Sequence, residues 1–288
     1  ARDIADSTKT LDVDGGTIKL DGNYPVGTGN VALGNTALDS VEAGGTYNVA
    51  LGDAAGTAIT TGDGNVGVGA DALLLNSSGG YNTALGTSSV RNNTTGNYNV
   101  GLGQGALYSN TTASNNTAVG YQALFDNTTA ERNTAVGRLA AANTTTGADN
   151  TAMGSAALTT NTTGANNIAI GASALRLNTT ASNNTAVGFE AGYANTGDKN
   201  TFVGNEAGVA NTSGRLNTML GRRAGKSNTT ASSNTFVGQA SGETNTTGQY
   251  NTALGDQSLQ SNTTASRNTA VGYQALYSQT TAQGGYNT

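Results

Sequence analysis

The chain has 288 residues with net charge −5; 42 are Gly, 35% are apolar and 11% are charged, against the ~45–50% apolar and ~25% charged of an ordinary globular domain. It contains no His, Cys or Trp and a single Pro, which excludes His acid–base chemistry, thiol nucleophiles, Cys/His metal sites and disulfides. Residues 1–71 carry ten acids and three bases and residues 72–288 eight acids and ten bases; neither part has the basic stripe a phosphate backbone requires, nor is there an apolar run of ~20 residues, so neither nucleic acid nor membrane insertion is expected.

The N-terminal decapeptide ARDIADSTKT lacks the pattern of a signal peptide. Residues 1–29 then alternate apolar and polar positions, with Leu11 and Val13 before Asp14-Gly15-Gly16 and Ile18 and Leu20 after it, which predicts a β-hairpin. Such a segment either caps a stacked array, whose end strands are otherwise unpaired, or joins neighbouring subunits. Asp12, Asp14 and Asp21 fall here, but their spacing lacks the alternating ligand order of a calcium loop. No metal or cofactor is expected.

Residues 30–288 are a tandem repeat. Its opening Asn recurs at 30, 48, 65, 82, 99, 116, 133, 150, 167, 184, 200, 217, 234, 251 and 268, spaced by 17 except for one 18 and one 16. Position two of the unit is β-branched (Val49, Thr117, Ile168), position three usually Ala, position four aliphatic (Leu33, Val119, Ile170), and position five always Gly. This alternation, ended by Gly, predicts a strand of about four residues with positions two and four on one face. Position eight is Ala or Ser and position nine most often Leu, as at Leu107, Leu124, Leu175 and Leu276, suggesting a second short strand; Asn-Thr-Thr clusters supply the loop. Gly, β-branched residues and Asn-Thr-Thr in every unit argue against helix.

Stacking one unit on the next aligns every column at the ~4.8 Å spacing of neighbouring strands. The expected fold is therefore all-β, a parallel β-solenoid or β-roll of about fifteen 17-residue coils, roughly 70 Å long. Thr117, Val119 and Leu124 are expected inside. Three inward apolar side chains per coil make a thin core against the ~1–2 kcal/mol of backbone ordering per residue, so a side-by-side homo-oligomer is expected, with three copies the natural closed order. The small residues at positions three and eight would admit the neighbouring backbone. Phe202, Met219 and Phe236, which enlarge position three in consecutive units, would fill a local widening at that interface.

The motif Asn-(Val/Ile/Thr)-Ala-(Val/Leu/Ile)-Gly, clearest at Asn30–Gly34, Asn48–Gly52 and Asn167–Gly171, resembles the N-S-V-A-I-G repeat of YadA-like adhesin heads. The fuller NTAVGYQAL at Asn116–Leu124 and Asn268–Leu276 is similar to repeats of phage and phage-derived tail-fibre proteins. The resemblance implies a trimeric left-handed parallel β-roll. It also implies a non-catalytic structural shaft of an extracellular, cell-surface or virion-tail fibre, supporting attachment to a host surface. The rival readings are a subunit of a self-assembling extracellular filament or surface layer, a glycan-processing β-helix enzyme, and an ice-binding protein.

No residue combination supports catalysis: Ser is plentiful, but without His it has no conventional base, and no phosphate-binding G-x-x-x-x-G-K-[ST] occurs. Catalytic, cofactor-binding and metal residues are each expected to be none. Asn93, Asn110, Asn127, Asn161, Asn178, Asn228, Asn245 and Asn262 match the N-glycosylation pattern, although stacked amide and hydroxyl ladders are the expected use of these turns. Tyr47, Tyr81, Tyr98, Tyr250 and Tyr286 precede the unit Asn, and Tyr108, Phe125, Tyr193 and Tyr277 occupy position ten; coil-corner packing is the expected role, with stacking on sugars the alternative. Lys199, Arg215, Arg222, Arg223 and Lys226 face Asp198 and Glu206, forming a solvated face or a contact for anionic glycans. The partners expected are thus other copies of the chain and host-surface glycans.

Overall fold

A computed structural model describes residues 27–42 and 44–278. The hairpin expected at residues 11–20, the acids Asp12, Asp14 and Asp21, and Tyr286 and Asn287 lie outside these residues. The described chain is a parallel β-solenoid of fifteen three-residue strands in one sheet, arranged in sequence order from β1 (Val31–Leu33) to β15 (Thr269–Val271). No helix occurs among the described residues. Neighbouring strands are in register column by column, as in Thr117↔Thr134, Ala118↔Ala135 and Val119↔Val136.

The two irregular units keep this register. The 18-residue unit still sets Val31 on Val49, and the 16-residue unit sets Thr185 on Thr201. The opening Asn holds it: the backbone N–H of each donates to the Oδ1 of the preceding one, for example Asn116 to Asn99 at 3.0 Å, and the same bond spans the short unit from Asn200 to Asn184 at 2.9 Å. The length change is absorbed in the loops.

The fifth-position Gly ends each strand for two reasons. Gly120 has φ +128°, and a Cβ there would lie 2.7 Å from the backbone carbonyl group of Gly137 in the next coil. Both the conformation and the close approach exclude a side chain. Beyond it the chain makes two successive turns in place of the expected second strand. Ala123 N–H donates to Gly120 O at 3.3 Å and Asn127 N–H to Leu124 O at 3.2 Å, with Gln122 and Leu124 at φ 52° and 50°. Left-handed residues at positions seven and nine cannot sit in an extended strand.

The core is inverted relative to the expectation for the strand. Ala118 and its column equivalents from Ala50 onward are buried, whereas Thr117 and Val119 are only half-buried and Leu85, Leu254 and Val271 are exposed. Position three therefore points inward and positions two and four outward. Positions eight and nine, such as Ala123 and Leu124, complete the interior. The small residues at positions three and eight admit the opposite wall of their own coil, not a second chain. Phe202, Met219 and Phe236 are likewise wholly buried within the solenoid, which corrects their assignment to a subunit interface. They occur where position nine is Gly: the ring of Phe202 lies against Gly192 and Gly208, Met219 Sδ against Gly225, and the ring of Phe236 against Gly242. A large residue on one wall replaces the Leu missing from the other.

Candidate functional site

The outward positions two and four form the most distinctive surface. Val49 and Leu51, Ile168 and Ile170, Thr218 and Leu220, and Thr252 and Leu254 project from one face of the same sheet, and the side chains of Leu51, Leu85, Met153, Ile170, Leu220 and Leu254 are exposed. Fourteen parallel pairings repeat this face without interruption, setting an aliphatic column at position four beside a Thr- and Val-rich column at position two, with a period of ~4.8 Å. A signal for its orientation is present in the sequence. Thr occupies position two in ten of the fifteen units, and a hydroxyl is tolerated on a surface but costly in a core that offers it no partner.

The asparagines of the Asn-Thr-Thr turns face the other way. Asn93, Asn110, Asn127, Asn161, Asn178, Asn228, Asn245 and Asn262 are completely buried. Asn110 Nδ2 donates to Asn93 Oδ1 at 2.7 Å and to Ala113 O at 3.0 Å, while its own Oδ1 accepts from Asn127 Nδ2 at 2.8 Å. Asn99 Nδ2, from the opening-Asn column, donates to the same Ala113 carbonyl at 2.8 Å. The two amide columns thus converge on one carbonyl per coil, and a glycan on the sequon Asn has no room in the folded chain. The first Thr of each cluster joins the network, as Thr94 Oγ1 donates to Thr111 O at 3.0 Å; the second, such as Thr95 and Thr112, is exposed.

The aromatic columns are stacked. Tyr81 and Tyr98 have ring centroids 5.3 Å apart and nearly parallel planes, and Tyr108 stacks on Phe125 at 4.9 Å. Arg91 lies over Tyr108 and Arg176 over Tyr193, at 5.6 and 5.9 Å from the ring centres. The basic cluster is engaged by acids on adjacent coils: Arg223 meets Glu243 at 2.7 Å and Glu206 at 3.7 Å, Lys226 meets Glu206 at 2.7 Å, and Arg215 meets Asp198 at 3.5 Å. The Lys226 hydrogen bond, assisted by the charges of Lys226, Arg223 and Arg222, holds the Glu206 carboxyl below its ordinary value despite partial desolvation. These pairs lock coils together, while Lys199 and Arg222 of the cluster take part in none of them.

Among the described residues no group of three or more acids, His or Cys is placed to hold a metal ion, and no helix is long and apolar enough to cross a membrane. The chain matches no family model, no curated protein and no solved structure.

Proposed function

We propose that this chain is the non-catalytic shaft of an elongated homo-oligomeric fibre, extracellular or on a virion, which holds an attachment element away from its base. The observation that carries the reading is the outward aliphatic column of position four, beside the Thr- and Val-rich column of position two. Water-exposed aliphatic side chains in so long a row mark an interaction surface, and their ~4.8 Å repeat along the rod is matched by a second copy aligned with the first. Burying these columns between copies supplies the apolar area that a core of Ala and one Leu per coil lacks. Three copies around a common axis give a closed, slender assembly, in keeping with the resemblance to YadA-like heads and tail-fibre repeats. Contact with host glycans along the shaft would be multivalent and weak per site.

Light scattering and electron microscopy of the native protein test this reading. Closed trimers of rod shape are expected, and Ile170→Asp with Leu220→Asp should return the assembly to monomers that retain β-structure. A monomeric wild-type rod overturns the fibre reading; indefinite end-to-end polymers replace it with the filament.

A further inference from the structure

The column preceding the opening Asn has a gap in its aromatic ladder. Backbone hydrogen bonds align it coil by coil: Tyr47 N–H donates to Thr28 O, Gly64 N–H to Thr46 O, Tyr81 N–H to Asp63 O and Tyr98 N–H to Gly80 O, at 2.8–3.1 Å. All three tyrosines are left-handed, with φ 57–58°, and all are well exposed, at 66, 58 and 59% for Tyr47, Tyr81 and Tyr98. Each ring leans toward the preceding coil: Tyr47 Cδ1 lies 2.7 Å from where a Cβ on Gly29 would be, and Tyr81 Cδ1 2.9 Å from that of Gly64. Tyr81 and Tyr98 are one coil apart and stack. Tyr47 and Tyr81 are two coils apart, about 9–10 Å at the strand spacing, with Gly64 as the missing member between them. The opening is thus one ring or one compact cation wide, and each wall would stand about 5 Å from its centre.

We propose that the space between Tyr47 and Tyr81 is a binding site for an organic cation of the guanidinium or quaternary-ammonium type, held between two tyrosine faces beside the Asp63 carboxylate. A cation within ~6 Å of a Tyr ring centre is attracted by the ring quadrupole, and two facing rings double the effect. The fold already seats guanidinium groups this way, with Arg91 over Tyr108 and Arg176 over Tyr193. Asp63 immediately precedes Gly64; its Oδ1 accepts from Thr46 N–H at 2.7 Å and Thr46 Oγ1 at 2.8 Å, so the carboxylate is fixed while Oδ2 carries no internal bond. Between Gly27 and Val90 the chain has five carboxylates and no Lys or Arg; Asp71 is paired with Arg91 of the next coil at 3.5 Å, and Glu42, Asp53 and Asp63 are the acids of the coils around Gly64. The local field therefore selects for positive charge. A copy of the chain aligned in register brings no cation of its own to this level, so the site goes beyond the shaft reading and belongs to a separate ligand.

The test is titration of the full chain, in its native assembly, with tetramethylammonium and methylguanidinium chlorides, using sodium chloride and methyl glucoside as controls and tyrosine ring resonances as the readout. Saturable shifts confined to Tyr47 and Tyr81 are expected, with dissociation constants in the millimolar range or tighter. Gly64→Tyr supplies the missing ring at a left-handed position that tyrosine already adopts in the same column, with the Tyr81 ring moving off the new Cβ it would meet at 2.9 Å, and should abolish the shifts. Tyr47→Leu and Asp63→Asn should each weaken binding about tenfold, the latter while retaining the Thr46 bonds. Absence of saturation in the wild type, equal binding in Gly64→Tyr and Tyr47→Leu, or preferential binding of the neutral glucoside with no response to Asp63→Asn would overturn the proposal.

Discussion

Thr144 interrupts the inner column of loop asparagines and shows what that column contributes. Between Asn76 and Asn127 each Nδ2 reaches the Oδ1 of the preceding coil, at 2.6–2.8 Å, but Thr144 stands where the next Asn belongs. Asn127 Oδ1 and Thr144 Oγ1 are both buried without a partner. An unsatisfied buried polar group costs about 1–3 kcal/mol, so Thr144→Asn should reconnect Asn127 to Asn161 and raise the melting temperature. Asn110→Ala does the reverse, stripping Asn93 Oδ1 of its donor and Asn127 Nδ2 of one of its two acceptors, the other being Ala130 O at 3.1 Å, and should destabilise by about 1–3 kcal/mol on the same scale. Differential scanning calorimetry of the two variants checks both signs. Titration adds a third residue-scale expectation. Because the folded Glu206 carboxyl lies below its ordinary value of 4.5, its stabilising contribution is present above that pH and is lost as the pH falls through the folded value. The pair is about one-third exposed, so the effect is small; Glu206→Gln should flatten the acid limb of stability against pH while leaving its neutral plateau little changed.

At the scale of the coil, volume is conserved across the interior. Phe236 on the strand wall faces Gly242 on the turn wall, whereas the following coil has Ala253 facing Leu259. Gly242→Leu in the presence of Phe236 overfills the coil and should cost about 1–3 kcal/mol or more. Phe236→Ala alone leaves a cavity and should cost about 3–5 kcal/mol. The double substitution recreates the pattern of the neighbouring coil and should recover most of the loss, which a double-mutant cycle in urea measures as a favourable coupling energy. The strand direction yields a further contrast. Ala186→Asp places a charge in the interior and should prevent folding, whereas Val187→Asp, on the outward face, should leave the single rod folded and act on association. Circular dichroism separates the first effect and light scattering the second.

Across the whole molecule, contacts run almost entirely between adjacent coils, as the sequential strand order requires, and stability is then a sum of coil and nearest-neighbour terms. Removing one complete unit, Asn116–Arg132, brings Asn99 beneath Asn133 with every column intact. The deletion should preserve the fold and shorten the rod by about 5 Å. Removing nine residues from the same place shifts inward and outward columns against each other and should disrupt the stack. Electron microscopy of rod length, alongside circular dichroism, distinguishes the two; equal tolerance of both deletions would contradict the solenoid.

The repeat period, the parallel in-register stacking and the end of each strand at Gly were legible in the sequence, because a 17-residue spacing of Asn and an invariant Gly leave few other ways to align like residues. The destination of the Asn-Thr-Thr turns as hydrogen-bonded ladders was legible for the same reason: stacking identical polar residues pairs their amides. Which face of the strand is inside was decided only by tertiary structure. A three-residue strand presents Val119 to one side and Ala118 to the other, and a bulky aliphatic column ordinarily reads as core. Here the coil is too narrow for two large walls; Leu124 fills it from the turn side, so the strand must contribute Ala and turn its larger side chains out. The same constraint explains why Phe202, Met219 and Phe236 are internal, since Gly208, Gly225 and Gly242 vacate the opposite wall of their coils, while the Gly at position nine of two other coils is covered from a neighbour or the loop, Gly192 by Phe202 and Gly56 by Ile59. The gap at Gly64 likewise emerged from three dimensions, because its tyrosine walls are 34 residues apart in sequence and become neighbours only when the coils are stacked.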